Sequence, residues 1–157
     1  MRRRVGLEGL TSNNEIAGFK FATVGVIYAV LLAFAVIIVW EKFNDAETAV
    51  LQEAGAAATL YRLAAGPDRE AVTTRAALSN YLKLAIEREW PLMAKTKESR
   101  EVTQALNDLY ASTMYLMDSQ PRQPQIFGEM FRQLDAVTQA RRSRLHHSTG
   151  TVLASCG

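Results

Sequence analysis

Three charged residues occupy positions where a helical pattern predicts apolar ones: Glu53, Glu89 and Arg141. Each falls on a stripe of mainly apolar residues that recurs every three or four positions, the face that a helix buries against its neighbours. A charge buried on such a face needs a partner of opposite charge. Counting ~1.5 Å of rise per residue from the turns at the far end of a bundle places Arg141 axially between the two carboxylates. We therefore predict a buried Glu–Arg–Glu cluster, in the half of the bundle nearer the N-terminal apolar segment.

Three interpretations of this cluster stay open. The first is a device that fixes the register of the helices, which is the best-attested use of buried polar groups. The second is a site that handles an ion or a proton. The third is that the stripes have been placed on the wrong faces, so that the charges are not buried together.

The other reactive side chains do not form a recognisable site. His146 and His147 would point about 100° apart on a helix and could not bind one metal ion together. No Glu-x-x-His motif, no serine at triad spacing and no phosphate-binding glycine loop is present. Cys156 is the only cysteine, so no intramolecular disulfide can form. We expect no catalytic residue, no metal and no cofactor, and hence a protein that is not an enzyme.

Four helical segments would position the cluster. The first continues without proline from the apolar segment to about Ala65, and the second runs from about residue 68 to 95, with a kink or break near Trp90 caused by Pro91. The third covers about 98–118 and the fourth about 125–147. The predicted stripes are Phe43, Ala46, Val50, Glu53, Ala57, Leu60 and Ala64; Val72, Leu78, Leu82, Ala85, Glu89 and Leu92; Val102, Leu106, Leu109, Thr113 and Leu116; and Phe127, Phe131, Leu134, Thr138, Arg141 and Leu145.

The apolar segment that precedes the bundle is Phe21–Trp40, which contains no charge and no proline. Its length of about 30 Å as a helix matches the hydrocarbon core of a bilayer. A cleaved signal peptide is the rival interpretation, but the run exceeds the ~7–15 residues of an h-region and no small-x-small site follows. We therefore predict a transmembrane helix, with Lys20 and Trp40 at the two membrane interfaces.

The predicted fold class is all-α, with one transmembrane helix that continues into a long helix of an antiparallel four-helix bundle. The expected organisation is a basic tail (1–12), a transmembrane helix (13–40), an extramembrane bundle (41–148) and a C-terminal tail (149–157). A capping box at Ser12–Glu15 places the start of the first helix near Asn13.

Charge sets the expected location and partners. Arg2, Arg3 and Arg4 precede the apolar segment, so the positive-inside rule predicts a cytoplasmic N-terminus and an external bundle. Residues 41–140 carry 11 basic and 14 acidic side chains, which excludes the broad basic surface of a nucleic-acid-binding protein. The expected partners are the lipid bilayer and a second copy or another membrane protein.

The sequence resembles the bestrophin-like domain family of bacterial membrane proteins of unknown function. The resemblance covers roughly residues 13–147, and EWPLM (89–93) and ARRSRL (140–145) are its most specific parts. Further matching positions are Gly18, Tyr28, Val39–Glu41, Ala46, Glu53–Ala54, Leu60–Tyr61 and Tyr81. Members of that family typically carry further spans before and after the helical domain, so the resemblance implies that this chain is a fragment, begins at a wrong start or ends in a frameshifted tail. The resemblance also implies a location in the inner (plasma) membrane of a bacterium.

Three functions compete at this point. The first is a membrane-anchored helical bundle that acts by assembly. The second is a component of an ion channel or transporter, as the family name suggests, with Glu53, Glu89 and Arg141 as ion-contacting residues. One span would require several copies, or the further spans typical of the family, to enclose a pore. The third is an extracytoplasmic sensor-like helical domain, which ranks last because no signalling domain follows it.

Overall fold

The computed structural model describes residues 7–119 and 124–150, with side chains described for residues 17–119 and 124–148. The described residues form helices with short connections, and none of them lies in a strand. The helices are α1 (Leu7–Leu63), α2 (Arg69–Leu84), a π-helical turn (Ala85–Glu89), α3 (Trp90–Met93), α4 (Arg100–Ser119) and α5 (Pro124–Gly150). The predicted all-α class, the long apolar first helix and the helical bundle are confirmed.

Helix α1 begins at Leu7, six residues before the predicted start near Asn13. Ser12 therefore lies inside the helix rather than at its N-cap. The side chains of the predicted capping box, and the arginines at 2–4, lie outside the described residues. Extension of an existing helix is favourable because each added residue contributes a hydrogen bond without a new nucleation cost, and residues 7–12 contain no proline to stop it.

The chain divides into two compact units, Met1–Phe43 and Asn44–Gly157, and α1 contributes to both. In the described part of the first unit, the large apolar side chains from Phe19 to Phe43 are 48–80% exposed. Thr23, a polar residue within the apolar segment, donates from Oγ1 to the carbonyl oxygen of Phe19 at 3.0 Å, which satisfies its hydroxyl within the helix. By length and composition, α1 is able to cross a membrane.

The second unit is an antiparallel bundle of four helices, in which the π-turn and α3 extend α2. Thr74 Oγ1 of α2 donates to the carbonyl oxygen of Ser112 of α4, at 3.2 Å, and further along the chain Glu89 accepts from the N–H of Ser99, just before α4. The Tyr110 hydroxyl of α4 donates to Asp135 Oδ1 of α5, at 3.0 Å, and Thr103 of α4 accepts from Arg141 of α5. In each pair of contacts the residue number rises in one helix as it falls in the other, so α4 runs antiparallel to α2 and to α5.

One arginine of α2, Arg75, forms hydrogen bonds that stabilise the turn between α1 and α2. Arg75 Nη1 donates to the carbonyl oxygen of Ala64 at 2.7 Å, and Nη2 donates to that of Gly66 at 3.1 Å. These carbonyl groups lie just after the last turn of α1, where no following helical N–H groups are available to bond them. The guanidinium also lies 5.9 Å from the centre of the Tyr61 ring. A cation at a helix C-terminus additionally complements the helix dipole.

The core follows the predicted stripes closely in α4 and less closely elsewhere. All five predicted α4 positions, from Val102 to Leu116, are buried. In α1 the stripe is buried from Glu53 onward, whereas Phe43 is 63% exposed. In α2 the prediction of Val72 is wrong: it is 49% exposed, and Ala71 and Thr74 are buried in its place. Val72 precedes Leu78 by six residues, which puts it about 120° around the helix from the buried face.

The connection from α3 to α4 contains a left-handed residue that is not glycine. Thr96 has φ of 56°. Its N–H donates to the carbonyl oxygen of Met93 at 2.9 Å, and the N–H of Lys97 donates to that of Leu92 at 3.0 Å, the two bonds of a Schellman C-cap. A β-branched residue is unfavourable in this conformation.

We therefore expect Thr96→Gly to raise the free energy of unfolding by about 1 kcal/mol, because glycine adopts this conformation without strain. Denaturation followed by circular dichroism measures it. Thr73→Gly, a replacement within α2 where the backbone is helical, is the matched control and should lower the same quantity. Equal losses in both variants would contradict the strain argument.

Candidate functional site

The candidate site begins with a π-helical turn placed just before a proline. Pro91 has no N–H, and inside an α-helix its ring clashes with the carbonyl group four residues earlier. The chain widens here: the N–H of Trp90 donates to the carbonyl oxygen of Ala85, five residues back. The predicted disturbance near Trp90 is thus a widened turn rather than a break. A π-helical turn contains more residues than the 3.6 of an α-helical turn, so positions four apart line up more closely on one face of the helix. Tyr81, Ala85 and Glu89 therefore all lie on one buried face.

Glu89 is the centre of a buried ionic cluster. Its side chain is fully buried, and both of its oxygens accept hydrogen bonds from guanidinium groups. Arg141 donates from Nη2 to Oε1 at 2.6 Å and from Nε to Oε2 at 3.1 Å. Arg144 donates from Nη2 to Oε2 at 3.1 Å. The backbone N–H of Ser99, just before α4, donates to Oε1 at 3.3 Å.

Glu53 joins the same cluster from α1. Arg144 donates to it from Nε to Oε2 at 2.8 Å and from Nη2 to Oε1 at 3.2 Å. The Tyr81 hydroxyl donates to Oε1 at 2.5 Å. Arg144 is therefore the cation that lies between the two carboxylates, and it is only 3% exposed. Its remaining nitrogen, Nη1, lies 2.9 Å from the sulfur of Met93.

The three predicted residues all lie in this cluster, but the predicted bridging role of Arg141 is wrong. Arg141 pairs with Glu89 and also donates to Thr103 Oγ1 at 3.0 Å, whereas Arg144 bridges Glu53 and Glu89. The prediction used the phase 127, 131, 134, 138, 141, 145 for α5. The buried stripe instead follows 127, 130, 134, 137, 141 and 144, with Ala140 buried beside it, and this phase adds Arg144 to the buried face.

Charge balance is the signal in the sequence that would have located Arg144. Two buried glutamates and a single arginine leave an unpaired negative charge. Arg144 follows Arg141 by three positions and so shares its face of the helix.

Burial and the neighbouring charges together shift the pKa values of Glu89 and Tyr81. Burial alone raises the pKa of the Glu89 carboxyl, but the hydrogen bonds and positive charge of Arg141, with the charge of Arg144, outweigh it and leave the pKa below its ordinary value. Burial, together with the negative charge of Glu53, raises the pKa of the Tyr81 phenol. At neutral pH the phenol is thus a neutral hydrogen-bond donor, and the cluster as a whole carries no net charge.

The depressed pKa of Glu89 predicts how stability depends on pH. A carboxyl with a lower pKa in the folded state stabilises the fold above its ordinary pKa of 4.5, and this stabilisation is lost as the pH falls through the lower folded value. We expect the free energy of unfolding to decrease as the pH falls below 4.5. The decrease should be shallower in Glu89→Gln than in the exposed control Asp108→Asn, measured by denaturation at each pH. If the free energy of unfolding depended on pH equally in the two variants, the pH dependence could not be assigned to Glu89.

The Tyr81 hydroxyl makes a separate contribution. In Tyr81→Phe the Glu53 carboxylate loses a buried donor, and hydrogen bonds to charged groups are worth about 1.5–3 kcal/mol. We expect the free energy of unfolding to fall by about that amount. Tyr115→Phe, at a residue 71% exposed, should change it by less than about 0.5 kcal/mol. Denaturation of both variants measures the difference, and a similar loss in each would contradict the assignment.

The cluster draws its side chains from every helix of the second unit. They are Glu53 (α1), Tyr81 (α2), Glu89 (π-turn), Met93 (α3), Thr103 (α4), and Arg141 and Arg144 (α5). The carboxylates are occupied by guanidinium and hydroxyl donors, and no buried polar side-chain atom among the described residues lacks a hydrogen-bond partner. Chemically, such an arrangement can hold helices in register. It offers neither a nucleophile nor an open metal ligand.

The remaining predicted positions lie elsewhere. Lys20 is exposed, and Trp40 is 64% exposed with its ring centre 6.5 Å from that of Phe43. His146 is exposed and His147 half-buried, with ring centres 5.8 Å apart. Across residues 17–119 and 124–148, no three histidine, cysteine, aspartate or glutamate side chains form a group that could hold a metal ion.

Comparison with known proteins identifies the family. The sequence model of the bestrophin-like domain family matches residues 1–154, nearly the whole chain. Neither the curated proteins nor the solved structures contain a significant match. The match covers the apolar helix, the EWPLM segment at the π-turn and the arginines of α5, so the chain belongs to the bestrophin-like domain family.

Proposed function

We propose that the chain is a non-enzymatic protein of the bacterial inner membrane, anchored by residues 21–40, whose helical bundle acts by assembling with a second copy or another membrane protein. The observation that supports this most directly is the exposure of the apolar part of α1. None of its most apolar window is buried against the rest of the chain.

The energetic argument favours lipid as the surroundings of this segment. Burying one large apolar side chain is worth about 1.5–3 kcal/mol, and the segment presents such side chains on all faces. From Phe19 to Phe43 they are exposed by about half or more. Exposure of this extent to water would cost tens of kcal/mol by the same scale, more than the stability of a typical domain. A bilayer removes the cost, and a helix satisfies its own backbone there.

Membrane anchoring predicts the behaviour of the chain on extraction. We expect the wild-type chain to remain in the membrane pellet after washing at alkaline pH. Leu31→Arg combined with Ile38→Arg should shift it toward the soluble or aggregated fraction, because arginine within a span is unfavourable, by about 2.5–3.5 kcal/mol at the centre, where Leu31 lies. Leu31→Ala with Ile38→Ala is the matched control and should stay in the pellet. Release of the wild-type chain by the wash would refute the proposal.

Orientation can be tested with the natural thiol. Cys156 is the only cysteine and follows the bundle in sequence, so an external bundle places it outside the cytoplasm. A membrane-impermeant maleimide should then label it in intact spheroplasts as strongly as in lysed ones. Labelling only after lysis would reverse the proposed orientation.

Family membership favours a second candidate function, a component of an ion channel or transporter. The ionic cluster is a poor candidate for its ion-contacting site, because its carboxylates are buried and already bonded to arginines. If liposomes that contain the chain conduct ions, we expect Glu89→Gln to change the stability of the bundle without changing ion selectivity. A changed ion selectivity would indicate that the cluster lines the pore.

A further inference from the structure

Part of the EWPLM segment is exposed outside the ionic cluster. All four residues of α3 are apolar, yet none of them is buried. Trp90 is 45% exposed, and Ile86, four positions earlier on the π-turn, is 55% exposed. Together with Pro91 and Leu92 they form a surface that we call the apolar edge.

The apolar edge lies at the end of the bundle where α1 enters it. Trp90 follows the turn between α1 and α2 (66–68) by 22 positions, and Asn44 precedes that turn by 22 positions. At ~1.5 Å of rise per residue, both lie about 33 Å from the turn. The Tyr81 hydroxyl bonds Glu53, and these residues are each 13 positions from the turn, so α1 and α2 run side by side in register. Trp90 and Asn44 are therefore at the same end of the bundle.

A short stretch of chain holds this end close to the apolar segment. Asn44 follows Trp40, the predicted interfacial residue, by four positions. Four residues span at most about 14 Å even when fully extended. Exposed apolar side chains such as Tyr115 occur at the opposite end of the bundle too, so exposure alone does not choose what covers them. The anchor does, because it keeps the bilayer at a high effective concentration near Trp90 only.

The composition of this end suits a lipid headgroup region. Tryptophan is enriched there because its ring is apolar and its indole N–H can still meet a polar partner. The connection after α3 (94–100) carries three exposed cations and one exposed carboxylate: Lys95, Lys97, Arg100 and Glu98. Long basic side chains at a membrane surface are attracted to anionic lipids. The exposed charges of α1 at this end, Asp45 and Glu47, are acidic, so the attraction is local to the connection.

We infer that the apolar edge docks on the same bilayer that holds the apolar segment, with Trp90 among the headgroups and the connection (94–100) on anionic lipid. This inference rests on the proposed function, to which it adds a second contact between the bundle and the membrane. The contact needs no large area, because the anchor already confines the bundle to the surface.

Tryptophan fluorescence in vesicles tests the inference, because the chain contains two tryptophans, Trp40 and Trp90. The vesicles are equal mixtures of phosphatidylcholine and phosphatidylglycerol, with or without bromine on the upper part of the acyl chains, which quenches only nearby indoles. In Trp40→Phe the remaining Trp90 should lose about half of its emission in the brominated vesicles. The matched control combines Trp40→Phe, Trp90→Phe and Tyr115→Trp. Its emission should be nearly unchanged, because position 115 is at the opposite end of the bundle.

Charge reversal tests the contribution of the connection. In the Trp40→Phe background, Lys95→Glu with Lys97→Glu should reduce the quenching of Trp90 about twofold, because the new carboxylates repel anionic lipid. Arg62→Glu with Arg69→Glu makes the same charge change at the exposed turn between α1 and α2, and should leave the quenching unchanged. Equal quenching in the two double variants would overturn the assigned contact with anionic lipid.

Trp40 separates this inference from the proposed function. In Trp90→Phe, the quenching of Trp40 reports on the anchor alone. If Trp40 is quenched and Trp90 is not, the docking is overturned and the anchor stands; a blue-shifted, unquenched Trp90 would assign the apolar edge to a protein partner instead. Equal quenching at positions 90 and 115 would also overturn the docking. If Trp40 is not quenched either, the proposed function itself fails.

Discussion

Replacing Arg144 with methionine is expected to lower the free energy of unfolding of the bundle by about 3–5 kcal/mol. Methionine matches the length of the side chain but cannot donate to either carboxylate. Glu53 and Glu89 would then share a buried site without the cation that bridges them. Removing one member of a buried ionic group costs more than the group contributes as a whole, because the remaining charges lose their compensation. Denaturation followed by circular dichroism at neutral pH measures the change.

The control for this prediction lies on the same helix. Arg142 is exposed and should tolerate methionine with a change below about 0.5 kcal/mol. A double-mutant cycle of Glu53→Gln and Arg144→Met should give a coupling energy of about 0.5–3 kcal/mol, since the two residues are in direct contact. A zero coupling, or equal losses in Arg142→Met and Arg144→Met, would show that the bridge does not stabilise the fold.

The second large effect is expected in the apolar core. Leu109 of α4 is fully buried, so Leu109→Ala should lower the free energy of unfolding by about 2–5 kcal/mol through lost burial and the cavity left behind. Met114 is on the same helix but 54% exposed, and Met114→Ala should cost less than about 1 kcal/mol. Chemical denaturation of the two variants measures the contrast. A comparable loss in both would contradict the assigned face of α4.

The sequence predicts the helices well because their signals are local. Apolar spacing and the absence of proline are enough to place α4 and its buried positions. The long α1 follows from an uninterrupted run of helix-forming residues. The start of α1 is harder to predict, because a capping motif such as Ser12–Glu15 marks a helix start only when the preceding residues are not helical themselves.

The buried cluster is only half predictable for a different reason. That Glu53, Glu89 and Arg141 stand on buried stripes follows from each helix by itself. Which cation bridges the carboxylates depends on the phase of α5, and two heptad phases share positions 127, 134 and 141. The choice between them requires the packing of neighbouring helices or the charge balance of the whole cluster. The widened turn before Pro91 is likewise hard to predict from the sequence, because it depends on how the other helices pack around Glu89.

The long sequence separation within the ionic cluster has a consequence for the order in which the newly made chain can fold. Arg144 lies 91 positions after Glu53 and 55 after Glu89. As the ribosome releases the chain, both carboxylates emerge well before either arginine that neutralises them. The first three helices of the bundle therefore cannot exclude water around these groups on their own. We therefore expect final closure of the bundle to wait for the last helix, and chains that stop before residue 141 to be more sensitive to proteolysis than the full chain.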